Sequence, residues 1–191
     1  MMGGDGQAEI MERLRYAVSL IRESMDGVLI PEVGMNIVYA RESARTPADV
    51  AGVRGRIVRL DGRAHPVGDV AFGASDHVAR IVLTAMRFDR SVRSAANIRY
   101  APGIVPILED LFMDVCSFDR QKEPPGISTI NWGVASCCKE GVPEVIYDTG
   151  SVGKEPMVRI LGQEPVEVAK KVLKVSMRII DDQNKGRYQW E

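Results

Sequence analysis

Apolar residues follow two patterns along this chain, one typical of helices and one typical of strands. Near the start, Ile10, Leu14, Ala17 and Ile21 follow spacings of four, three and four residues. This spacing places the four side chains on one face and predicts a helix over residues 8–24. Farther along, continuous apolar runs bounded by glycine, proline or charged residues are typical of strands.

The two kinds of element alternate along the sequence. Strands are predicted at 28–30, 36–40, 55–60, 94–100, 113–118, 144–147 and 157–161. Helices are predicted just after Thr46, in the segment that holds His77, and at 103–112, 129–139 and 166–180. Such alternation predicts an α/β protein built as a three-layer α/β/α sandwich. The sheet is predicted to be mixed, because the short strands near the start also suit antiparallel pairing.

The composition is that of one globular domain. With 191 residues, 45% hydrophobic and 27% charged, we expect a single domain over 8–180 and polar tails at 1–7 and 181–191. A net charge of −1 and the lack of a basic run interleaved with aromatics argue against nucleic-acid binding. No apolar run reaches about 18 residues and no signal sequence begins the chain, so we expect a cytoplasmic protein without a membrane partner. A homo-oligomer is compatible with all of this.

Cysteine and histidine usage excludes several kinds of site. Cys116, Cys137 and Cys138 are odd in number and lack the spacing of a paired C-x-x-C, so we expect neither a disulfide framework nor a zinc site. The chain has only two histidines, His65 and His77, which cannot form a three-histidine metal centre.

The stretch 72–80 carries the clearest chemical signal. Gly73, Ala74 and Ser75 are small enough to let backbone N–H groups approach a ligand. The helix that follows carries His77 in its first turn and Arg80 one turn later. A helix N-terminus with an imidazole and a guanidinium beside it can bind a phosphate group. The alternative is ordinary helix capping with the arginine in solvent.

Charged residues at predicted strand ends form a second candidate set, and strand ends are where α/β proteins build ligand sites. Three of them are Arg56, Arg99 and Arg120. Residues 150–154 (GSVGK) look like a phosphate loop, but the glycine spacing is too short and Glu155 stands where a magnesium-binding Ser or Thr belongs. The segment is therefore either an ordinary glycine-rich connection or a loop that brings its lysine to a phosphate.

Asp148, at the end of a predicted strand, has two possible roles. Its carboxylate could hold Mg²⁺ through water, or it could bond its own backbone in a turn.

Ordered blocks of residues resemble the ThiN-type thiamine-phosphate synthase domain, the C-terminal domain of bifunctional hydroxymethylpyrimidine kinase/thiamine-phosphate synthases. The resemblance extends from Glu9 to Lys174. The blocks are 29–40, 49–57, 72–75 with 77–86, 93–95 with 97–100, 117–120, 145–148 and 153–157.

The resemblance implies a fold similar to the class II aldolase (AraD/HMP-PK-like) superfamily. It also implies that hydroxymethylpyrimidine diphosphate and hydroxyethylthiazole phosphate condense to thiamine phosphate and diphosphate, with Mg²⁺ accompanying the substrate diphosphate. The family's catalytic pair matches Arg56 in the G-R-I run and His77 after the G-A-S turn. The aldolase metal histidines are missing, so the resemblance does not imply aldol chemistry.

Other substrate contacts follow from the same resemblance. Asn36 or Asn97 would read the aminopyrimidine edge, and the thiazole phosphate would bind to Arg99, Arg120 and Lys154. The alternative function is a thiamine-phosphate-sensing domain of a transcriptional regulator. That branch of the family lacks the catalytic pair, so its presence here favours an enzyme.

Overall fold

The computed structural model describes residues 6–122 and 129–187, which form five α-helices and nine β-strands. The helices are α1 (Gln7–Ser24), α2 (His77–Ala85), α3 (Ile104–Asp110), α4 (Thr129–Cys137) and α5 (Pro165–Asn184). The strands are β1 (Ile37–Ala40), β2 (Val50–Val53), β3 (Ile57–Leu60), β4 (Arg63–Pro66), β5 (Val70–Phe72), β6 (Ser94–Arg99), β7 (Val115–Ser117), β8 (Val145–Asp148) and β9 (Met157–Gly162).

Seven strands form one central sheet, in the order β5-β2-β1-β6-β9-β8-β7. All neighbouring pairs are antiparallel except β7 and β8, which are parallel. Strands β3 and β4 form a separate hairpin closed by the turn at Asp61 and Gly62. The predicted mixed sheet is thus confirmed.

Helices cover both faces of the sheet, and successive strand residues such as Ile37 and Val38 are buried in the cores on opposite faces. On one face, α1 packs against α5 over a core that includes Leu14 and Val172. On the other face, α2 packs against α4 over a core that includes Ile81 and Val134. The expected three-layer α/β/α sandwich is the fold of this chain.

Two predicted elements are wrong in detail. Residues 28–30 are not a strand, since Gly27–Leu29 forms a 3₁₀ turn in which the Asp26 carboxylate accepts a bond from the Val28 N–H at 2.8 Å. The last helix continues past the expected boundary at 180, and Asp182 is buried within it. Residues 181–184 therefore belong to the helix and not to a polar tail.

The structure also contains a disulfide that the sequence analysis did not expect. Cys116 on the edge strand β7 and Cys137 at the end of α4 are bonded, with their Cα atoms 5.8 Å apart. They are 21 residues apart in sequence and are brought together only by the packing of α4 against the sheet. Cysteine spacing alone could not reveal that proximity. Separately, none of the helices in the described ranges is long and apolar enough to cross a membrane.

The contact between α4 and the sheet leaves no room for a side chain at Gly133. A β-carbon there would lie 2.3 Å from the ring of Phe118. We expect Gly133→Ala to lower the free energy of unfolding by about 1 to 2 kcal/mol, because overpacking costs about 1 to 3 kcal/mol and exceeds the helix-propensity gain of about 0.5 to 1 kcal/mol. Urea unfolding measures the change. Gly6→Ala is the control, since nothing lies within 4 Å of that position; a Gly133→Ala variant as stable as this control would refute the packing argument.

Candidate active site

A cleft of about 490 Å³ opens at one end of the strands of the central sheet. At this end β1 and β9 begin, and β6, β7 and β8 finish. It brings together most of the residues that the sequence singled out, from six separate segments. The lining residues are Val33, Gly34, Asn36, Arg56, Ala74, Ser75, Asp76, His77, Val78, Asn97, Arg120, Gly153, Lys154, Glu155 and Met157.

Arg56 reaches this cleft from a turn in an uncommon backbone conformation. Its φ angle is 71°, in the left-handed region that non-glycine residues rarely occupy. Its guanidinium donates a hydrogen bond to the carbonyl of Val33. Position 34 favours glycine because its φ is 85°, and a β-carbon there would also lie 3.1 Å from Arg56 Cδ. Strained residues of this kind cost about 1 to 3 kcal/mol and cluster at functional sites, which marks Arg56 as a functional candidate.

The N-terminus of α2 forms the opposite wall of the cleft. The capping position is held by Asp76, not by Ser75, and no side chain caps the first backbone N–H groups. The carboxylate of Asp76 instead accepts a bond from Arg80 Nε at 2.7 Å. The helix start therefore keeps its N–H groups for a ligand, as anion sites at helix termini require.

Beneath the cleft lies a buried carboxylate held between two arginines. Asp148 is 1% exposed, and one of its oxygens lies 3.1 Å from Arg120 Nη2 and 2.7 Å from Arg159 Nη2. The other oxygen accepts a bond from Arg120 Nε and another, at 2.9 Å, from the Gly150 N–H. Two-pronged contacts of this kind fix the plane of a guanidinium. The pair therefore holds Arg120 in place at the cleft.

This network changes the interpretation of Asp148. The turn in which Asp148 bonds its own backbone, at Gly150, is confirmed. The carboxylate is buried and both of its oxygens are engaged by arginines, which gives it an anchoring role. The contact to Mg²⁺ through water stays a prediction. Among the described residues, no group of three or more His, Cys, Asp or Glu side chains could hold a metal ion.

Arg159 is a site residue that the sequence analysis missed. It is fully buried on β9, and its guanidinium lies 5.3 Å from the centre of the Phe118 ring. Its Nε atom has no hydrogen-bond partner in the described parts of the chain. The available signal was a lone charge in the apolar run 157–161, because a buried arginine requires a carboxylate partner.

His77 lies at the start of α2 in a cationic environment. Burial, together with the positive charges of Arg159, Arg120 and Arg56, lowers the pKa of His77 to about 4, while Asp148 opposes the shift. Its Nε2 atom is buried and has no hydrogen-bond partner among the described residues. The imidazole is therefore neutral at pH 7 and open to a hydrogen bond from or to a ligand.

The loop between β8 and β9 closes the cleft on its third side. The backbone of Ser151 and Lys154 forms a tight turn, with hydrogen bonds of 3.1 and 2.9 Å. The Glu155 carboxylate accepts bonds from the N–H groups of Glu32 and Val33 at 2.9 and 3.3 Å. This contact joins the two loops on either side of the opening. Residues 150–154 thus form a glycine-rich connection whose lysine lies at the cleft, and a contact between that lysine and a phosphate stays a prediction.

Asn36 and Asn97 line the cleft, but their amides already have partners. The Asn36 side chain exchanges two hydrogen bonds, both 2.9 Å, with the backbone of Val53. The Asn97 amide accepts from the Asn36 N–H at 2.8 Å and donates to the carbonyl of Gly34 at 3.2 Å. Both asparagines connect the strands beneath the site, and contact with a pyrimidine ring stays a prediction.

Besides Asp148, which lies beneath the cleft, three predicted site residues do not line it. Gly73 lies one residue before the cleft wall, and its N–H bonds the carbonyl of Val50 at 2.9 Å. Arg80 faces a different cavity on the far side of α2. Arg99 lies in a neighbouring groove beside Arg59. Each lies one or two residues along the chain from a residue that lines the cleft, so sequence spacing alone could not exclude it.

The fold defines a class of α/β/α domains that includes an aldolase of known structure. A sugar-phosphate aldolase from Thermotoga maritima superposes with a TM-score of 0.50 at 9% identity, over 94% of this chain and 98% of that chain. The C-terminal domain of protein MJ0236 superposes with a TM-score of 0.87 at 41% identity, covering 93% of this chain and 98% of that structure. The C-terminal domain of a phosphomethylpyrimidine kinase gives 0.83 at 41% identity, covering 89% and 100%.

Within that class, the chain belongs to the thiamine-phosphate synthase ThiN family, whose model matches residues 13–174. It is 44% identical over 167 residues to the bifunctional thiamine biosynthesis protein ThiDN of Methanocaldococcus jannaschii, covering 86% of this chain and 40% of that protein. It is 40% identical over 173 residues to the thiamine-phosphate synthase ThiN of Methanothermobacter thermautotrophicus, covering 86% of this chain and 91% of that protein. The chain thus spans less than half of the bifunctional relative.

The cationic surroundings of His77 predict an unusual titration. We expect its imidazole to titrate with a pKa of about 4 in the free chain, and adding inorganic diphosphate should raise that pKa because an anion favours the charged form. The unfolded chain, with a pKa near 6.5, binds more protons between these values, so the contribution of His77 to stability is lost as pH falls from 6.5 to 4. Imidazole NMR titration measures the pKa, with His77→Gln for assignment. A free-chain midpoint near 6.5 would contradict the electrostatic account.

The buried carboxylate predicts a large effect of removing its charge. Asp148→Asn should lower the free energy of unfolding by about 3 to 5 kcal/mol, because two guanidinium groups lose their buried counter-charge. The control is Asp181→Asn, which removes an exposed ion pair to Lys185 of 2.5 Å and should cost about 1 kcal/mol or less. Urea unfolding compares the two variants. Equal losses would show that Asp148 does not anchor the site.

Proposed function

We propose that this chain is a thiamine-phosphate synthase, joining hydroxymethylpyrimidine diphosphate to hydroxyethylthiazole phosphate with release of diphosphate. The observation that carries the proposal is the convergence of Arg56 and His77, which are 21 positions apart in sequence, on one cleft that Arg120 also lines. The family match and the synthase among its relatives support the same activity. No comparable observation favours the sensor alternative.

The reaction breaks one bond and forms another. The exocyclic CH₂–O bond of the pyrimidine substrate breaks, and its electron pair leaves with the diphosphate. The 4-aminopyrimidine ring delocalises the cation that remains, and the thiazole nitrogen attacks it to form the new C–N bond. Negative charge grows on the leaving oxygen, so hydrogen-bond donors aimed at the diphosphate lower the barrier.

The cleft offers such donors on two sides. Arg56 and Arg120 supply fixed guanidinium groups, and the start of α2 supplies uncapped backbone N–H groups. Because Asp148 anchors Arg120 from below, little reorganisation is needed when the charge develops. We assign the diphosphate to this half of the cleft. Arg120, which the resemblance grouped with the thiazole phosphate, therefore serves the diphosphate in this proposal.

His77 acts on the same leaving group in this proposal. Its neutral imidazole can donate an N–H hydrogen bond to a diphosphate oxygen. Bound diphosphate would also raise the pKa of His77 from about 4, since a nearby anion favours the protonated ring. The residue would then be a better donor at the moment when the C–O bond breaks.

Lys154 lies on the loop opposite α2, and we assign the thiazole phosphate to it. It follows Gly153 in the tight turn that Ser151 and Lys154 close, and this turn places it at the cleft. Arg99, which sequence reasoning grouped with Lys154, lies outside the cleft.

Mg²⁺ enters this proposal with the substrate. The cleft carboxylates Asp76 and Glu155 are engaged by Arg80 and by backbone N–H groups, so the chain's own donors do not fit a resident metal site. When bound to diphosphate, Mg²⁺ neutralises part of the phosphate charge. The residues named above act on the phosphate oxygens directly.

We also propose that the reaction takes place in the cytoplasm.

The direct test is turnover. The purified chain is mixed with both substrates and Mg²⁺, and thiamine phosphate and diphosphate are measured over time. Equimolar formation of both products supports the proposal. Binding of thiamine phosphate without any turnover would instead identify a sensor.

Removing either member of the catalytic pair should mainly affect kcat. We expect Arg56→Ala and His77→Ala each to lower kcat about 100-fold or more, as loss of a transition-state donor does. Matched controls are Arg63→Ala and His65→Ala, which are exposed on the β3–β4 hairpin. Steady-state kinetics measures the effect, and thermal unfolding checks the fold. A near wild-type kcat in either folded variant would overturn the assignment.

The two halves of the cleft should be separable by KM. Lys154→Ala should raise KM for the thiazole phosphate with little change for the pyrimidine diphosphate, because loss of a charged contact costs about 1.5 to 3 kcal/mol. Lys139→Ala, at an exposed position after α4, serves as the control. An increase confined to the pyrimidine substrate would show that the two phosphates are assigned in reverse.

A further inference from the structure

A second cavity lies on the far side of α2, outside the cleft described above. Its volume is about 370 Å³, and it lies between α2, the turn after it, the loop before β2 and Asn131 of α4. Four of its lining residues are arginines: Arg45, Arg80, Arg87 and Arg90. Within the described parts of the chain, no acidic residue lines it.

This concentration of positive charge does not follow from composition. The chain carries 25 basic and 26 acidic residues, for a net charge of −1. Arg80 is paired with Asp76 at 2.7 Å. The side chains of Arg45, Arg87 and Arg90 have no hydrogen bond or ion pair in the described ranges, although each is within reach of the same cavity.

The nearby carboxylates are committed elsewhere. Asp49 accepts bonds from the backbone N–H groups of Arg45 and Thr46, at 3.1 and 3.0 Å. Asp89 accepts bonds from the N–H and hydroxyl of Ser91, at 2.8 and 2.7 Å. Neither acid lines the cavity, so the guanidinium groups of Arg45, Arg87 and Arg90 have no counter-charge there among the described residues.

The floor of the cavity is apolar. This surface is formed by Leu83 of α2, by Met86 in the turn after α2 and by Pro47. Such a combination suits a ligand with a charged end and an organic body. Guanidinium groups match phosphate oxygens in two-pronged geometry, and several of them together favour a multiply charged phosphate.

We propose that this cavity is a second phosphate-binding site, which takes a di- or triphosphate group either as the free ion or as part of an organic phosphate. It is separate from the cleft that holds Arg56 and His77, and the proposal does not depend on the synthase activity. Arg87 and Arg90 are its principal contacts, since Arg80 already binds Asp76 at the cleft wall.

The test is an NMR titration of the full ¹⁵N-labelled chain at low salt. The probes are inorganic diphosphate, ADP and adenosine, each also compared with sodium chloride at matched ionic strength. We expect diphosphate and ADP to shift the amides of residues 44–46 and 83–90, in addition to any shifts around the catalytic cleft. Equal affinities would identify the free phosphate group as the ligand, whereas tighter binding of ADP would show that the apolar floor holds an organic body.

Variants then locate the binding energy. The double variant Arg87→Gln/Arg90→Gln should weaken binding at this cavity at least tenfold, the lower end of what loss of charge-assisted contacts costs. It should leave the cleft shifts and the turnover unchanged. The control Arg22→Gln/Arg63→Gln removes the same charge from exposed positions elsewhere.

Two results would overturn the proposal. One is equal binding by the double variant and the control. The other is a set of shifts at 44–46 and 83–90 that sodium chloride reproduces, which would show general screening of charge. A chain without synthase turnover that still binds diphosphate here would refute the proposed function and leave this site intact.

Discussion

The carboxylate of Asp148, buried between Arg120 and Arg159, fixes the geometry on which the cleft depends. A buried charge is costly unless it is paired and hydrogen-bonded, and each of these three groups would destabilise the fold if left alone. Their pairing therefore fixes the end of β8, the buried strand β9 and the segment after β7 relative to one another. Those are the segments that present Arg120 and the loop of Lys154 to the cleft.

The same network sets the electrostatic character of the site. Two guanidinium groups share one carboxylate, and Arg56 adds a third positive charge near His77. Burial, together with this excess positive charge, depresses the pKa of His77, and the charge disfavours a second cation there. It also favours an anion with several charges, which is the chemistry that departure of diphosphate requires. The positive charge of the cleft therefore suits the proposed diphosphate leaving group, as does the position of its arginines.

Local periodicity and turn chemistry predicted much of this molecule, including the one-faced helix α1 and the order of elements from α2 to α5, but not the strands β2, β4 and β5. Several failures depend on contacts between distant segments, whereas the turn at 27–29 is set locally by the Asp26 carboxylate. The Cys116–Cys137 bond exists only because α4 packs beside β7. The role of Arg159 depends on Asp148, which lies on the neighbouring strand and is distant in local sequence pattern. Arg99 is two residues from Asn97, which lines the cleft, but it lies in another groove.

The central claim is that the leaving diphosphate binds between Arg56, Arg120 and the start of α2. A crystal structure of the chain with thiamine phosphate and inorganic diphosphate tests it most directly. The account predicts diphosphate oxygens within hydrogen-bond distance of Arg56, of Arg120 and of backbone N–H groups at the beginning of α2, with the imidazole of His77 beside them. Diphosphate bound only on the Lys154 side of the cleft, or only in the arginine-lined cavity behind α2, would contradict it.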